Sequence, residues 1–485
     1  MSAPTFEDIV SLMKRRGFVY PGSEIYGGLA NTYDYGPLGA ELLRTIRNLW
    51  WENFIHRRSD MVGIDASTIS HQKIWEASGH TASFADSLVD CRNCHKRIRT
   101  DHLIEDFLEK KADRLKHTDV RTEVIKHVDL IKAFETKKVE GWSIEAYDEF
   151  LRLFNVTCPT CGLKDWTPVR KFNQLFPVHL GIVEGEQSLA YLRGETAQGM
   201  FINFKNVLDT TRQKLPFGIG QLGKSFRNEI TLGNSIFRTI EFEQAEIEYF
   251  FDPEINDWKV LYEEWKQSMW GFVTKTLHIR EENLRWREHS DEERSFYSKR
   301  TEDLEYNFPF GFKELWGLAY RTDYDLKQHM KHSGVDLSVF DQANNRKVVP
   351  HVIEPAVGVN RLFFMILCDA YWKDEEKNRI VLKLHPKLAP FTVAVFPLVA
   401  NKEEITAKAR SVHDMLSETY RTAWDARGNI GKRYLTQDEI GTPFTVTIDY
   451  TTLEDGTVTI RDRDTATQER VKIEELALYI QRRLL

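Results

Sequence analysis

The sequence predicts an α+β chain: a long first domain of antiparallel strands and flanking helices, a helical insertion inside it, and a compact α/β domain at its C-terminal end. Three observations predict this. From about residue 186 to 370 the texture is that of strands and short helices, as in SLAYLRG (188–194), IFRTIEFEQAEIEYFF (236–251) and VVPHVIEPAVGVNRLFFMIL (348–367). Residues 102–155 are rich in Lys, Glu and Asp, contain no Pro and one Gly (Gly141), and space apolar residues such as Leu103, Phe107, Leu115, Val124, Val128, Ile131 and Phe134 as a helical module would. The segment LKLHPKLAP (382–390), with two prolines and no periodicity, reads as a boundary. After it come a buried strand (FTVAVFPLV), a helix over about 403–421, two alternating strands (TVTIDY, TVTIRD) and a last helix at EELALYIQRRLL. The expected units are 1–388, an insertion over 89–166, and 389–485.

The composition excludes disordered, collagen-like and fibrous chains: 41% of the 485 residues are hydrophobic and 29% charged. Length alone suggests about three domains. The longest apolar run found, Leu362 to Cys368, is far short of the ~20 residues of a membrane span, and the first residues lack the apolar stretch of a secretion signal. The chain therefore reads as cytoplasmic, with no membrane partner. A net charge of -7, from 66 basic and 73 acidic residues, argues against bulk electrostatic attraction to nucleic acid but leaves room for local basic patches.

Near the N-terminus, Leu42, Ile46, Leu49, Trp50 and Phe54 recur at helical spacing from Leu38 onward. Such a stripe fits either a core helix or a subunit interface. Further on, Gly218-Ile-Gly-Gln-Leu-Gly223-Lys224-Ser225 matches the phosphate-binding loop pattern. That loop works only between a buried strand and a helix whose N-terminus faces the phosphates. Here RQKLPF precedes the motif and the alternating SFRNEITLGNS follows it, so the match is a decoy.

The next stretch carries more. Phe226-Arg227-Asn228-Glu229 leads through a Gly/Asn turn into a second extended segment, an antiparallel hairpin. Alternation puts Arg227 and Glu229 on one face, and Phe242, Gln244 and Glu246 on one face. An arginine fork, a stacking ring and carboxylate acceptors suit a nucleotide lying on that sheet, although a solvated strand pair with cross-strand ion pairs has the same pattern. In EPAVGVNRLFFMIL (354–367) a strand, a glycine turn and an apolar helix put Arg361 in the first helical turn, where a cation is unfavourable unless an anion shares the site.

Four of the five cysteines form two CxxC pairs, Cys91/Cys94 and Cys158/Cys161, which suit a tetrahedral zinc site or are reduced, buried thiols. Cys368, on an apolar helix, reads as core.

The hairpin and the Arg361 segment, together with the helix from Gly36-Pro37, resemble the three motifs of class II aminoacyl-tRNA synthetases. RTDHLIED (99–106), YLRGETAQG (191–199), FPFGFKELWGLAYRTDYDL (308–326) and GNIGKRYLTQDEIGTPF (428–444) are similar to strings of the homodimeric glycyl-tRNA synthetases. The resemblance implies a class II antiparallel sheet as catalytic domain, a zinc-knuckle insertion and an anticodon-binding domain. It implies ATP-dependent activation of glycine to glycyl-adenylate and transfer to the 3′ end of tRNA(Gly), with ATP, Mg2+ and structural Zn2+. By the same resemblance Arg227 holds the α-phosphate and the glycine carboxylate, Glu229 the adenine amino group, Phe242 the adenine face and Arg361 the γ-phosphate, with Glu314 beside the phosphates and magnesium. The implied nucleotide set also takes in Asn228, Phe237, Arg238, Thr239, Ile240, Glu241, Leu315, Gly358, Val359 and Asn360. For glycine the implied set is Glu195, Glu246 and Glu354 around the ammonium, with Arg99, Phe242, Glu243, Gln244, Ala245, Pro355, Ala356, Val357 and Gly358. The implied dimer forms through the helix beginning near Leu38, and Arg427, Lys432 and Arg433 are candidate tRNA contacts or a solvated loop. Three positions depart from the family pattern: Gly194 stands for a usual proline, Ile240 for an arginine and Ala356 for a serine. They keep open a paralogue with altered small-amino-acid specificity or a non-catalytic tRNA-binding role.

Overall fold

The computed structural model describes residues 4–484 apart from 112–124, 126–127, 129, 138, 140–141, 182–187, 230–232, 291–293 and 295–297. Leu115 and Val124 of the expected insertion helices lie outside the described residues. The centre is a seven-stranded sheet of β1 (Met61–Gly63), β2 (Phe217–Phe226), β3 (Glu241–Phe251), β4 (Leu284–Glu288), β5 (Arg300–Phe308), β6 (Gly311–Thr322) and β7 (His351–Gly358). Their spatial order is β4-β5-β6-β7-β3-β2-β1. All neighbours run antiparallel except β1, which lies parallel to β2.

Helices pack on both faces of this sheet: Phe201 and Phe204 lie on Phe250, on the face shared by Phe242, Gln244 and Glu246, whereas Leu42, Ile46 and Trp50 pack with Ala245 and Ile247 on the other. In α1 (Pro37–Trp51) the proline sits in the first turn, where its missing N–H has no intrahelical partner to lose. Its stripe is core: Leu42, Ile46 and Trp50 are fully buried, and Phe54 continues it against Trp265, Phe272 and Trp316. Later in the chain come α2 (Ala197–Thr211), α3 (Tyr324–Ser333) and α4 (Val359–Ala370). α4 buries every residue from Leu362 to Cys368, so that apolar run and the fifth cysteine are core. An N-terminal helix (Phe6–Arg16) not foreseen in the sequence opens on a Thr5/Asp8 capping box and packs Phe6 on Phe310 and Phe364.

The glycines of the phosphate-loop look-alike lie inside β2, which pairs with β3 along its whole length and opens no helix. They are packing positions: a Cβ at Gly218 would come 2.2 Å from the Met61 sulfur, and one at Gly223 2.2 Å from an Arg193 nitrogen.

The inserted module has a three-stranded sheet with Ala85–Asp90 between Arg97–Arg99 and Arg170–Asn173, and helices over Thr100–Lys111, Leu130–Thr136 and Ile144–Leu153. Its own core gathers Ile104, Leu108, Phe107, Phe134 and Phe150, while Ile131 faces solvent. The C-terminal unit is a five-stranded sheet of β8 (Val393–Pro397), β9 (Thr422–Trp424), β10 (Phe444–Ile448), β11 (Thr457–Asp462) and β12 (Gln468–Lys472), in the order β9-β8-β10-β11-β12. The first three are parallel and the last two antiparallel, with helices at Glu403–Ser417, Ile430–Ile440 and Leu476–Leu484. Among the described residues no helix is long and apolar enough to cross a membrane.

Candidate active site

A cavity of about 290 Å³ opens on the sheet face away from α1, over β3, β6 and β7. Period-two alternation decides which residues reach it. On β3, Phe242, Gln244 and Glu246 line it, while Glu243 turns back toward α1, where Arg47 grips it through two bonds of 2.7 and 2.5 Å. Ala245, fully buried, belongs to the opposite face and the core. Glu243 and Ala245 are thus corrected from ligand contacts to supports. On β7, Glu354, Ala356 and Gly358 line the cavity, together with Val357. Pro355 lies where the β3–β7 pairing lapses, between Ala356 and Ile353, so its missing N–H interrupts no bond to β3.

On β6 a bulge is decisive. Leu304 opposes Trp316 and Glu305 opposes Glu314, which leaves Leu315 as an extra residue. Glu314 and Gly317, three apart, therefore both reach the cavity, and Leu315 is fully buried in the core, not at the nucleotide.

Pairing between β2 and β3 ends at Phe226 and Glu241, and the described residues of 227–229 and 236–239 border the cavity instead of extending the hairpin. Arg227, Glu229, Phe237, Arg238 and Thr239 line it from there. Glu229 is paired with Arg238 at 3.0 Å. Ile240 and Asn228 are held by backbone bonds, to Asn31 and Gln174, and stay outside the lining. Glu241 pairs with Lys224 at 2.6 Å on the surface. Arg361 and Asn360, at the start of α4, complete this end; Val359 is buried beneath them. Arg361 lies 3.0 Å from the Glu314 carboxylate, and this arginine is the main influence holding the Glu314 pKa down.

The other end is acidic and deeply buried. Arg321, 1% exposed, donates to both Asp325 oxygens at 2.9 Å and to Glu354 at 2.8 Å. Glu195 receives Gln198 at 3.0 Å and lies 3.2 Å from the His80 ring nitrogen. Glu246 accepts the Thr196 N–H at 2.9 Å and the Gln244 amide at 2.6 Å. Burial pushes Glu354 up to about 8, opposed by Arg321 and aided by Glu246 and Glu195. Burial and the neighbouring Glu195 likewise raise Glu246. At Glu195, burial is outweighed by His80, Arg321 and Gln198, which hold it ionised. Several carboxyls thus crowd a pocket in which only part of their charge is expressed, a site that gains from a small cation.

Sequence reasoning missed Arg321, Gly317 and Ile236 in this lining. The alternation Gly317, Ala319, Arg321 was the available signal for the first two. Arg99 does not line the cavity; it pairs with Asp86 at 3.0 Å and Asp101 at 2.5 Å. Gly194 offers its carbonyl to the Arg227 Nε at 2.9 Å.

Elsewhere, the sulfurs of Cys91, Cys94, Cys158 and Cys161 all lie within 4.8 Å of one another, Cys91–Cys161 at 3.5 Å and Cys94–Cys158 at 3.6 Å. Metal–sulfur bonds of ~2.3 Å at tetrahedral corners give edges of about 3.8 Å, so four free thiols here fit one metal ion. In the C-terminal unit Arg433 is buried and donates to the carbonyls of Pro397 and Leu398 at 2.6 and 3.3 Å. It fastens a loop and cannot serve as a tRNA contact; Lys432 and Arg427 remain exposed.

The comparisons agree with this architecture. The model of the anticodon binding domain matches residues 392–483, and that of glycyl-tRNA synthetase insertion domain 1 matches residues 86–174. A glycine–tRNA ligase of Clostridium tetani is 48% identical over 482 residues, 98% of each chain. The chain belongs to the glycine–tRNA ligase family. The family relative from Alkaliphilus oremlandii is 49% identical over 99% of this chain and 98% of its own, and that from Acetivibrio thermocellus 48% over 98% of each. The seven-stranded, mainly antiparallel sheet with its helices is the class II synthetase fold of this family.

Proposed function

We propose that the chain activates glycine with ATP and transfers the glycyl group to the 3′ end of tRNA(Gly). The observation that carries this reading is the cavity itself, with an arginine-rich end and a carboxylate-rich end meeting at Arg227 and Phe242. A glycine carboxylate oxygen attacks the α-phosphorus of ATP, the bond to the β-phosphate oxygen breaks, and pyrophosphate leaves with the electron pair. A ribose hydroxyl of the terminal adenosine then attacks the acyl carbon, and AMP leaves. No protein nucleophile is required, so the residues act by position and charge. Arg227 sets its fork toward the α-phosphate and the attacking carboxylate, Arg361 toward the γ-phosphate, and Phe242 offers a face to adenine. Glu229 accepts from the adenine amino group once Arg238 is drawn to phosphate. Magnesium bound with ATP would be held by Glu314, a hard oxygen donor, and would neutralise phosphate charge.

At the acidic end Glu195, Glu246 and Glu354 receive the ammonium. Side chains larger than that of glycine are excluded by contact with the walls, the direction of discrimination that needs no editing. The four cysteines hold a structural zinc, which predicts about one zinc per chain by elemental analysis. The catalytic domain runs over 1–388 with its insertion widened from 89–166 to about 86–174, and residues 389–485 bind the anticodon arm, using exposed Arg427 and Lys432. A cytoplasmic homodimer completes the reading. Since the α1 stripe is taken up by the core, the contact uses the helix's outer face and the preceding loop, where Ile25 and Tyr26 are 88% and 87% exposed. The test is ATP-dependent charging of a tRNA(Gly) transcript with labelled glycine: stable charging supports the reading, and none in a folded preparation overturns it.

A further inference from the structure

We propose that His80 and Phe84, just before the inserted module, are positioning residues through which the root of the insertion fixes both ends of the cavity. This rests on the reading of that cavity as the glycine and ATP site. The observation is a row of rings in edge-on and tilted contact that ends on a guanidinium. The rings of Trp75 and His80 are 5.2 Å apart, and those of His80 and Phe84 5.2 Å. The row continues into the Arg227 guanidinium, 5.2 Å from the Phe84 ring and 5.3 Å from the Phe242 ring. Arg227 thus lies between one ring of the central sheet and one ring of the insertion's root. Neither His80 nor Phe84 lines the cavity.

His80 acts at the acidic end. It is buried, its Nε2 lies 3.2 Å from Glu195, and its Nδ1 lies 2.8 Å from the Ser78 hydroxyl, which fixes the ring plane. The return strand of the insertion closes on the same point. Asn173 donates to the carbonyls of His80 and Thr81 at 3.2 and 3.1 Å. Gln174 bonds the Phe84 carbonyl at 3.0 Å and Asp86 at 2.8 Å, and its own carbonyl receives the Asn228 N–H at 2.8 Å. Entry and exit of the insertion are therefore tied together where they touch Glu195, Arg227 and Asn228.

A planar cation held between two aromatic faces keeps one plane, so its fork is aimed before the phosphate arrives. A buried carboxylate that loses a donor rises in pKa and holds an ammonium poorly. The two residues should therefore separate kinetically in glycine-dependent pyrophosphate exchange. Phe84→Leu should lower kcat about tenfold with the KM for ATP within about twofold, and Phe84→Tyr, which keeps the face, should recover it. His80→Leu should raise the KM for glycine about 10- to 100-fold without moving that for ATP, and His80→Gln, which keeps a donor, should recover much of it. Should Phe84→Leu not fold, Phe84→Met, of similar volume and without a ring, carries the same expectation. Leucine variants with wild-type constants, or with all constants shifted alike in proportion to the folded fraction, would overturn the proposal while wild-type exchange left the activity standing. No exchange by the folded wild-type chain would overturn the underlying reading and this proposal with it.

Discussion

The two ends of the cavity are built on opposite principles. At the acidic end the polar groups are held mainly by one another: Arg321 bridges Asp325 and Glu354, and Glu195 is held by Gln198 and His80. At the nucleotide end the pairs are open to exchange. Arg238 rests on Glu229 with its side chain 38% exposed, and Arg361 rests on a Glu314 side chain that is 47% exposed. A buried network fixes geometry and pays in desolvation, whereas half-exposed pairs are worth little and yield readily to phosphate. On the proposed reading the difference separates specificity from turnover: the rigid end would select the small amino acid, and the exchangeable end would accept and release a large polyanion.

The largest effect should come from breaking the rigid end. Arg321→Met leaves the buried Asp325 without its cation and Glu354 without its donor, and should lower stability by about 3–5 kcal/mol, read as a reduced urea midpoint. Breaking the exchangeable end should spare the fold. Arg227→Ala is expected to lower pyrophosphate exchange by about 10²–10³-fold with an unchanged melting curve. Lys224→Ala, in the phosphate-loop look-alike, is expected to leave exchange unaltered.

A subtler contrast lies in pH. Burial, opposed by Arg321 and aided by Glu246 and Glu195, lifts Glu354 to about 8, so the protonated form predominates at pH 7 in the free chain. A folded pKa above the unfolded one means that its contribution to stability is full below about pH 4.3 and is lost as pH rises through 8. An ammonium favours the carboxylate, so glycine binding should release a proton at pH 7, measured by calorimetry in buffers of different ionisation enthalpy. The KM for glycine should fall as pH rises from 6 to 8, by at most about tenfold per unit, and Glu354→Gln should flatten that slope. Smallest is Ala356→Ser. A hydroxyl beside the pocket should lower the KM for glycine about two- to tenfold, the worth of one hydrogen bond.

Much of this was legible locally. Strict alternation placed Phe242, Gln244 and Glu246 on one face, and the buried run after Arg361 announced α4. The same alternation excluded Glu243 and Ala245, which a contiguous stretch of family resemblance had swept into the ligand set. Non-local features were not legible. The bulge at Leu315 reverses the parity of β6, and no local signal marks it. Alternation places Arg321 on the cavity face, but its partner Glu354, 33 residues on, is seen only in the fold. Arg433 reads as a basic tRNA contact because a loop's carbonyls cannot be inferred from composition.

The central claim is that the acidic end demands an ammonium on the smallest amino acid. Pyrophosphate exchange into ATP, run side by side with glycine, alanine and serine, tests it most directly. Exchange is expected with glycine, and at least about tenfold less with either larger amino acid, the effect of one misplaced methyl group. Equal exchange with alanine, or none with glycine, would contradict it.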